Sequence, residues 1–479
     1  MRLRGVHEFV AGFGACLALL VLAIATAASG QTANVGADDE RPTQRNAVGK
    51  GAIHHHDQPQ GILPLLNYSG DLWSRSALTG DWGGARESLA AKGISADLSF
   101  TTLLQSVVSG GADTGTGVST SMDLGVHVDF MRMGLIPGGL LEVRAEGDFG
   151  DSVLADAGTI TAVNYNALMP IGTLENDTVT LTDLYYTQFL GEKFGMFAGR
   201  FDTFHDGLIM EFAGSGPRTG ERGFLNANLV APQMVAITTP YVTAFGGGIM
   251  AKPNDHFAFS AIVMDKAESS RQVGLDDLGD EGWNAIIGGL AQYRLAGLPG
   301  GAQLAGSFVW SGDFTDLGGG ALLGLRAGEG LASERQSWNV VGNVWQYVQV
   351  FEDAPEGPLH LHDGRPDLRG WGVFLLWGVA DDDTNPFNWS LAGGIGGRGL
   401  IPGREEDVFG IGYFYNELEQ GGIVDRAIDI RDGEQGFEVF YEAQLTPWLR
   451  LTPDVQVVRP GLGDNDTAVV LGLRLLLDL

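Results

Sequence analysis

Charged and aromatic residues recurring at every second position are the side chains in this sequence whose type and spacing could do chemistry. Glu142, Arg144 and Glu146 alternate with Leu141, Val143 and Ala145; Arg200 and Asp202 flank Phe201; Trp345 and Tyr347 stand between Asn343 and Gln349. The stretch 203–239 adds Asp206, Glu211, Phe212, Arg218, Glu221, Arg222, Asn226 and Asn228. Arginines and carboxylates supply charge-assisted donors and acceptors, and aromatic rings supply an apolar face with a polar edge. Such groups hold a polar solute briefly; they do not make or break its bonds.

Other runs imitate familiar sites without their context. Gly394-Ile395-Gly396-Gly397-Arg398-Gly399 has the spacing of a nucleotide-binding glycine loop, but Leu400-Ile401-Pro402-Gly403 follows where a helix must cradle the phosphate. Asp381-Asp382-Asp383 with Asn385 could hold calcium, yet reads better as a solvated outer turn. His54-His55-His56 has no cysteine or carboxylate at ligand spacing. His360 and His362 sit near no serine-nucleophile setting or His-Asp spacing that would suggest hydrolysis. No catalytic residue, metal or cofactor is expected.

The elements that must position the charged set are strands. In the last segment Val469, Leu471, Leu473, Leu475, Leu477 and Leu479 take every odd position, with Gly472, Arg474 and Asp478 between them. Upstream, Phe437, Val439, Tyr441 and Ala443 alternate with Glu438, Phe440, Glu442 and Gln444. A pleated strand sends alternate side chains to opposite faces, so each such segment has one greasy and one polar face. Candidate strands fall near 94–108, 119–131, 139–149, 179–190, 193–202, 240–251, 256–265 and 284–295. They continue near 302–312, 338–351, 371–380, 389–397, 408–416, 436–445, 449–458 and 468–479. That makes about sixteen, an even number, as a transmembrane β-barrel requires.

A sandwich buries its apolar face in a core; a barrel in lipid turns it outward and lines a wet bore with the polar face. The connections decide between the two. With the last strand ending on the periplasmic side, the outer connections (109–118, 150–178, 203–239, 266–283, 313–337, 381–388, 417–435, 459–467) are mostly long. The inner ones (191–192, 252–255, 296–301, 446–448) are short, apart from 352–370 and 398–407. An all-β, transmembrane antiparallel barrel of about 16 strands with a short N-terminal helix accounts for that asymmetry.

Composition agrees. A net charge of −30, from 29 Lys+Arg and 59 Asp+Glu, repels nucleic acid. The one apolar run long enough to span as a helix is Phe9 to Ala28, with Arg2 and Arg4 before it and small residues at its end, so residues 1–30 read as a cleaved signal peptide. Cys16, the sole cysteine, lies inside that run with Leu17 to Ala25 continuing past it, which argues against lipidation and leaves no disulfides. Residues 31–66 read as a flexible periplasmic arm, 67–93 as a motif in which Ser88 to Lys92 make a short helix ended by Gly93 and Asp81 can pair with Arg86, and 94–479 as the barrel.

Several motifs resemble the carbohydrate-selective outer-membrane porins of the OprB family. They are Gly399-Leu400-Ile401-Pro402-Gly403-Arg404-Glu405-Glu406-Asp407-Val408-Phe409-Gly410; Glu438-Val439-Phe440-Tyr441-Glu442-Ala443-Gln444-Leu445-Thr446-Pro447-Trp448-Leu449 with Pro453-Asp454-Val455-Gln456; Leu78-Thr79-Gly80-Asp81-Trp82-Gly83-Gly84-Ala85-Arg86; and, less specifically, Phe197-Ala198-Gly199-Arg200-Phe201-Asp202. The terminal Leu479 departs from the aromatic residue more common there. The resemblance implies passive diffusion of small carbohydrates through a sixteen-stranded channel in the outer membrane. By analogy with general porins it also implies that the loop 203–239 folds inward to narrow the bore. Glu142, Arg144, Glu146, Arg200, Asp202, Glu211, Arg218, Arg222, Trp345 and Tyr347 are then the expected selectivity zone, with outer-membrane lipid as the surrounding partner. A homo-oligomer stays open, because a lipid-facing strip and a subunit interface read alike. The alternatives are a general or organic-acid/polyol porin without sugar preference, a barrel-borne enzyme such as a lipase, and a soluble glycan-binding β-protein.

Overall fold

The computed structural model describes residues 61–168, 178–203, 210–214, 218–230, 243–266, 278–280, 282–317, 333–354, 357, 359, 365–419 and 429–479. Residues 1–60, Asp206, His360 and His362 lie outside them. Sixteen antiparallel strands close into one barrel. They are β1 (Ile94–Gly111), β2 (Gly115–Asp129), β3 (Gly139–Gly150), β4 (Thr178–Phe189), β5 (Phe194–Asp202), β6 (Thr243–Asn254), β7 (Phe257–Asp265) and β8 (Trp283–Leu295). The ring continues through β9 (Leu298–Trp310), β10 (Ser337–Val350), β11 (Gly370–Ala380), β12 (Phe387–Arg398), β13 (Val408–Leu418), β14 (Gly433–Thr446), β15 (Leu449–Arg459) and β16 (Asp466–Asp478). Each neighbours the next in sequence, and β16 returns to pair with β1 from Ser99↔Asp478 to Gly111↔Asp466. Closure removes the unpaired edges that an open sheet leaves.

The faces follow the alternation. On β14, Phe437, Val439 and Leu445 are exposed while Glu434, Glu438, Phe440 and Glu442 are buried; on β16, Leu471 and Leu473 point out and Arg474 points in. The apolar face is therefore outside. Strand ends at Gly111 and Gly115 define a far rim, and those at Ile94 and Asp478 a near rim. The expected outer connection 109–118 shrinks to 112–114. Beyond the apolar stretch, β1 and β2 go on pairing through Ser106 and Thr116, whose hydroxyls meet at 2.8 Å. Ladder bonding needs backbone groups, not apolar side chains.

At the near rim the short helix is longer than expected: α1 spans Ala85–Ala91 and ends at Gly93, whose φ of +92° suits a residue without a Cβ. The side chains of Asp81 and Arg86 do not pair as the sequence suggested. Asp81 Oδ1 accepts the Gly83 amide at 3.0 Å, and only the Arg86 backbone N–H meets the Asp81 carbonyl. The Arg86 guanidinium instead donates to the carbonyls of Leu479 (3.0 Å) and Ala96 (2.8 Å), under the ring of Tyr68. The motif thus clips the seam between β1 and β16, aided by Leu78 N donating to Asp478 O at 2.8 Å.

Two far-rim connections turn into the bore. Residues 151–168 carry short helical turns at Leu154–Ala157 and Tyr165–Leu168, and the described parts of the next connection, 210–214 and 218–230, end in Ala227–Val230. The two segments brace each other through Tyr165 N to Leu225 O (2.8 Å) and Ala227 N to Ala162 O (3.0 Å).

Candidate functional site

The bore has two unlike walls. From β10 round through β16 to β1, the inner face is covered by the two inward segments. Their exposed peptide groups need partners in a space poor in water, and β14 supplies them. Glu434 accepts the amides of Ile160 (2.7 Å) and Thr161 (2.8 Å), and Glu438 those of Leu225 (2.7 Å) and Asn226 (2.9 Å). Gln456 on β15 donates to Val163 O at 2.9 Å, and Arg474 on β16 donates to the carbonyls of Gly220 (2.9 Å) and Gly223 (2.8 Å). Glu434, Glu438 and Glu442 are four apart on one strand, which puts all three on one face.

Aromatic packing does the rest. Phe212 meets Tyr347 (centroids 4.8 Å apart) and Trp345 (6.5 Å), and Phe224 meets Phe440 (4.8 Å) and Phe374 (5.6 Å). Phe212 is seated against Gly372 and Gly396: a Cβ on Gly396 would come within 2.7 Å of the Phe212 carbonyl. The run that mimics a nucleotide loop is thus a strand whose Gly396 leaves room for the inserted Phe212 backbone, while the Phe212 ring lies against Gly372. Glu211 is buried beside them, accepting from the Tyr347 hydroxyl and from Asp367 N at 2.6 Å. Its burial pushes the carboxyl up to about 8, against the lowering effect of those two donors. Asp367 explains one long near-rim connection. Residues 367 and 368 meet the inserted loop and its seat, and Leu368 N also donates to the Tyr347 hydroxyl at 3.0 Å.

The adjoining wall, toward the near-rim ends of β1 to β3, is wet, while the inserted segment still reaches Ser119 and Ser121 farther up β2. On β1 to β3, Asp97, Asp123, His127, Glu142 and Arg144 face inward with side chains 20–51% exposed. Arg144 Nε lies 3.4 Å from Asp123 Oδ1. His127 lies between Glu142 (Nδ1 to Oε1, 3.3 Å) and Asp97 (Nε2 to Oδ2, 3.8 Å). Tyr185 on β4 stands opposite Glu142 in the ladder.

The structure therefore separates the ten candidates into groups. Glu142 and Arg144 stand together on the wet wall. Glu146, Arg200 and Asp202 are buried, with Asp202 N donating to Asp183 Oδ1 at 2.8 Å. Trp345, Tyr347 and Glu211 form the seat of Phe212. Arg218 pairs with Glu221 and Asp478 at the near rim, and Arg222 is buried beside them, forming a backbone bridge with Thr219. Sequence reasoning missed Asp97, Asp123 and His127, and the amide-capping roles of Glu434 and Glu438. The i, i+4, i+8 spacing on β14 was the available signal for the latter. Asp381, Asp382 and Asp383 do bring their carboxylates together at the far rim, on the surface.

Comparison with known proteins fits this architecture. The model of the carbohydrate-selective porin, OprB family, matches residues 115–479. OprB of Pseudomonas putida in its high-pH structure superposes with a TM-score of 0.71 at 18% identity, covering 84% of this chain and 98% of that one. Its low-pH structure gives a TM-score of 0.50 at 15% identity over the same shares. At such identities the superpositions speak to the fold alone. A search of curated proteins found no match.

Proposed function

This chain belongs to the OprB family of carbohydrate-selective porins, an outer-membrane channel for passive diffusion of small sugars, and on that premise we propose where the sugar passes and which residues it meets. The path runs along the wet wall, past Asp97, Asp123, His127, Glu142 and Arg144. The observation that carries this reading is the asymmetry of the bore: one wall is capped and packed, the other keeps charged side chains partly solvated. A sugar entering a narrowed bore gives up part of its hydration, and charged donors and acceptors replace it. Each contact must be weak and interchangeable, because a channel that binds tightly does not conduct.

The remaining candidates hold the path's shape rather than touch the solute. Trp345, Tyr347 and Glu211 anchor the inserted loop at Phe212; Arg218 and Arg222 hold its near-rim end; Glu146, Arg200 and Asp202 stiffen the wall beside Tyr165. The protein works without catalysis, metal or cofactor. Residues 1–30 direct export and are removed, 31–66 form an arm in the periplasm, and the apolar outer face meets lipid or a second copy of the chain.

Swelling of liposomes carrying the protein, in a panel of neutral sugars, organic acids and polyols of matched size, tests the reading. Faster entry of sugars, slowed by Arg144→Ala, is expected. Equal rates for every solute would leave a general diffusion pore, and no swelling at all would remove the channel.

A further inference from the structure

We propose that His127 is a charge switch on the sugar path: with a neutral ring the pore favours neutral and cationic sugars, such as amino sugars, and with a protonated ring it admits acidic sugars, such as uronates, more readily. This deepens the reading of the wet wall as the path and rests on it.

The placement is specific. His127 sits on β2 with its side chain 28% exposed to the bore, so it is reached by both solute and protons. Its charged and titratable neighbours come from every element around it. Asp123 and Asp129 share its face of β2; Asp97 reaches it from β1, with Arg86 of α1 3.6 Å behind that carboxylate. Glu142 and Arg144 face it from β3, with Tyr185 of β4 beyond Glu142. Arg132 belongs with Asp129, 3.8 Å away. Carboxylates flank both ring nitrogens, so the neutral ring leaves a local surface that draws cations and repels anions. Histidine is the side chain whose ordinary titration, at about 6.5, falls where external pH varies, while ordinary carboxylates titrate near 4. One added positive charge in this setting opposes the negative field of Asp97 and Glu142 at the point where solute passes.

The test is the reversal potential of the folded protein in planar bilayers under a potassium chloride gradient, at pH 8 and pH 5.5. The wild-type preference for K⁺ over Cl⁻ is expected to fall about fivefold at the lower pH, because a unit charge across roughly 8 Å of water carries a Boltzmann factor of about 2.4 that acts against K⁺ and in favour of Cl⁻. His127→Gln should keep the high-pH preference at both values, and His127→Arg should show the low-pH preference at both. Folding of each variant is read from its heat-modifiable migration on gels. The swelling rate in glucosamine hydrochloride relative to sodium glucuronate should follow the same pattern. A His127→Gln channel that retains the wild-type pH response overturns the switch while leaving the path intact. Wild-type protein that never opens a current overturns both.

Discussion

The packed and wet walls of the bore are built from the same strand grammar and end in opposite states. Both present a polar residue inward at every second position. On β14 Glu434 and Glu438 meet loop amides and are buried; on β2 and β3 Asp123 and Glu142 meet arginine and histidine and stay partly exposed. What differs is the inserted chain. Where a loop lies against the wall, inward charges such as Glu434 and Glu438 become structural hydrogen-bond partners, and where it does not reach, as beside Asp97 and His127, they stay exposed to the bore. Polarity of an inward residue therefore does not by itself identify a binding residue; accessibility from the bore is needed as well.

Mutations on the two walls should separate along that line. Phe212→Ala would leave a hole between Trp345, Tyr347 and Gly372, and large-to-small changes of buried aromatics cost about 3–5 kcal/mol. A large drop in the heat-modification midpoint and a rise in single-channel conductance are expected; unchanged conductance would mean the loop does not narrow the bore. Arg200→Ala removes a buried guanidinium whose charge acts on buried Asp183 and Asp202, a change of about 3–5 kcal/mol when a buried charge loses its counter-charge, and is expected to lower the midpoint with little effect on sugar preference. Glu438→Ala strands the amides of Leu225 and Asn226 at about 1–3 kcal/mol each, and proteolysis of the loop should report it. On the wet wall, Arg144→Ala should shift sugar permeation while moving the midpoint by only about 1 kcal/mol equivalent, as expected of a partly solvated pair. A midpoint loss matching that of Arg200→Ala would erase the distinction between the walls.

The last test is in pH. Glu211 belongs to no strand, and its carboxyl is raised from 4.5 to about 8 in the folded state. The native form holds its proton after the unfolded chain has released it, so its contribution is full below about pH 4.5 and is lost as pH rises to about 8. The midpoint should decline over that interval, and Glu211→Gln should flatten the decline. Parallel curves for the two proteins would remove Glu211 as the cause.

How much of this was readable from sequence depends on range. Each of the sixteen strands overlaps one window of period-two alternation, though several run past it, because the signal is local and each strand carries its own copy. The inward faces of Glu142, Arg144, Trp345 and Tyr347 follow from the same alternation. That Phe212 covers the last two is not local: it needs the loop to cross the bore, and only Gly372 and Gly396 hint at a seat. His127 lay inside a predicted strand, but its flanking carboxylates are 30 residues before it and 15 after it, and become neighbours only once the β1–β2–β3 register is fixed. Arg86 misled for a related reason. Asp81 is close in sequence, whereas its true acceptor, the Leu479 carbonyl, is 393 positions away.

That distance bears on how the molecule comes into being. Every hairpin of the barrel can zip from its own turn, but the β1–β16 junction and its arginine clip join the two most remote parts of the fold, and remote contacts form slowly. Until they meet, two long strands stand with bare edges. The final stitch, rather than any hairpin, is the step that assembly in a living envelope has to chaperone.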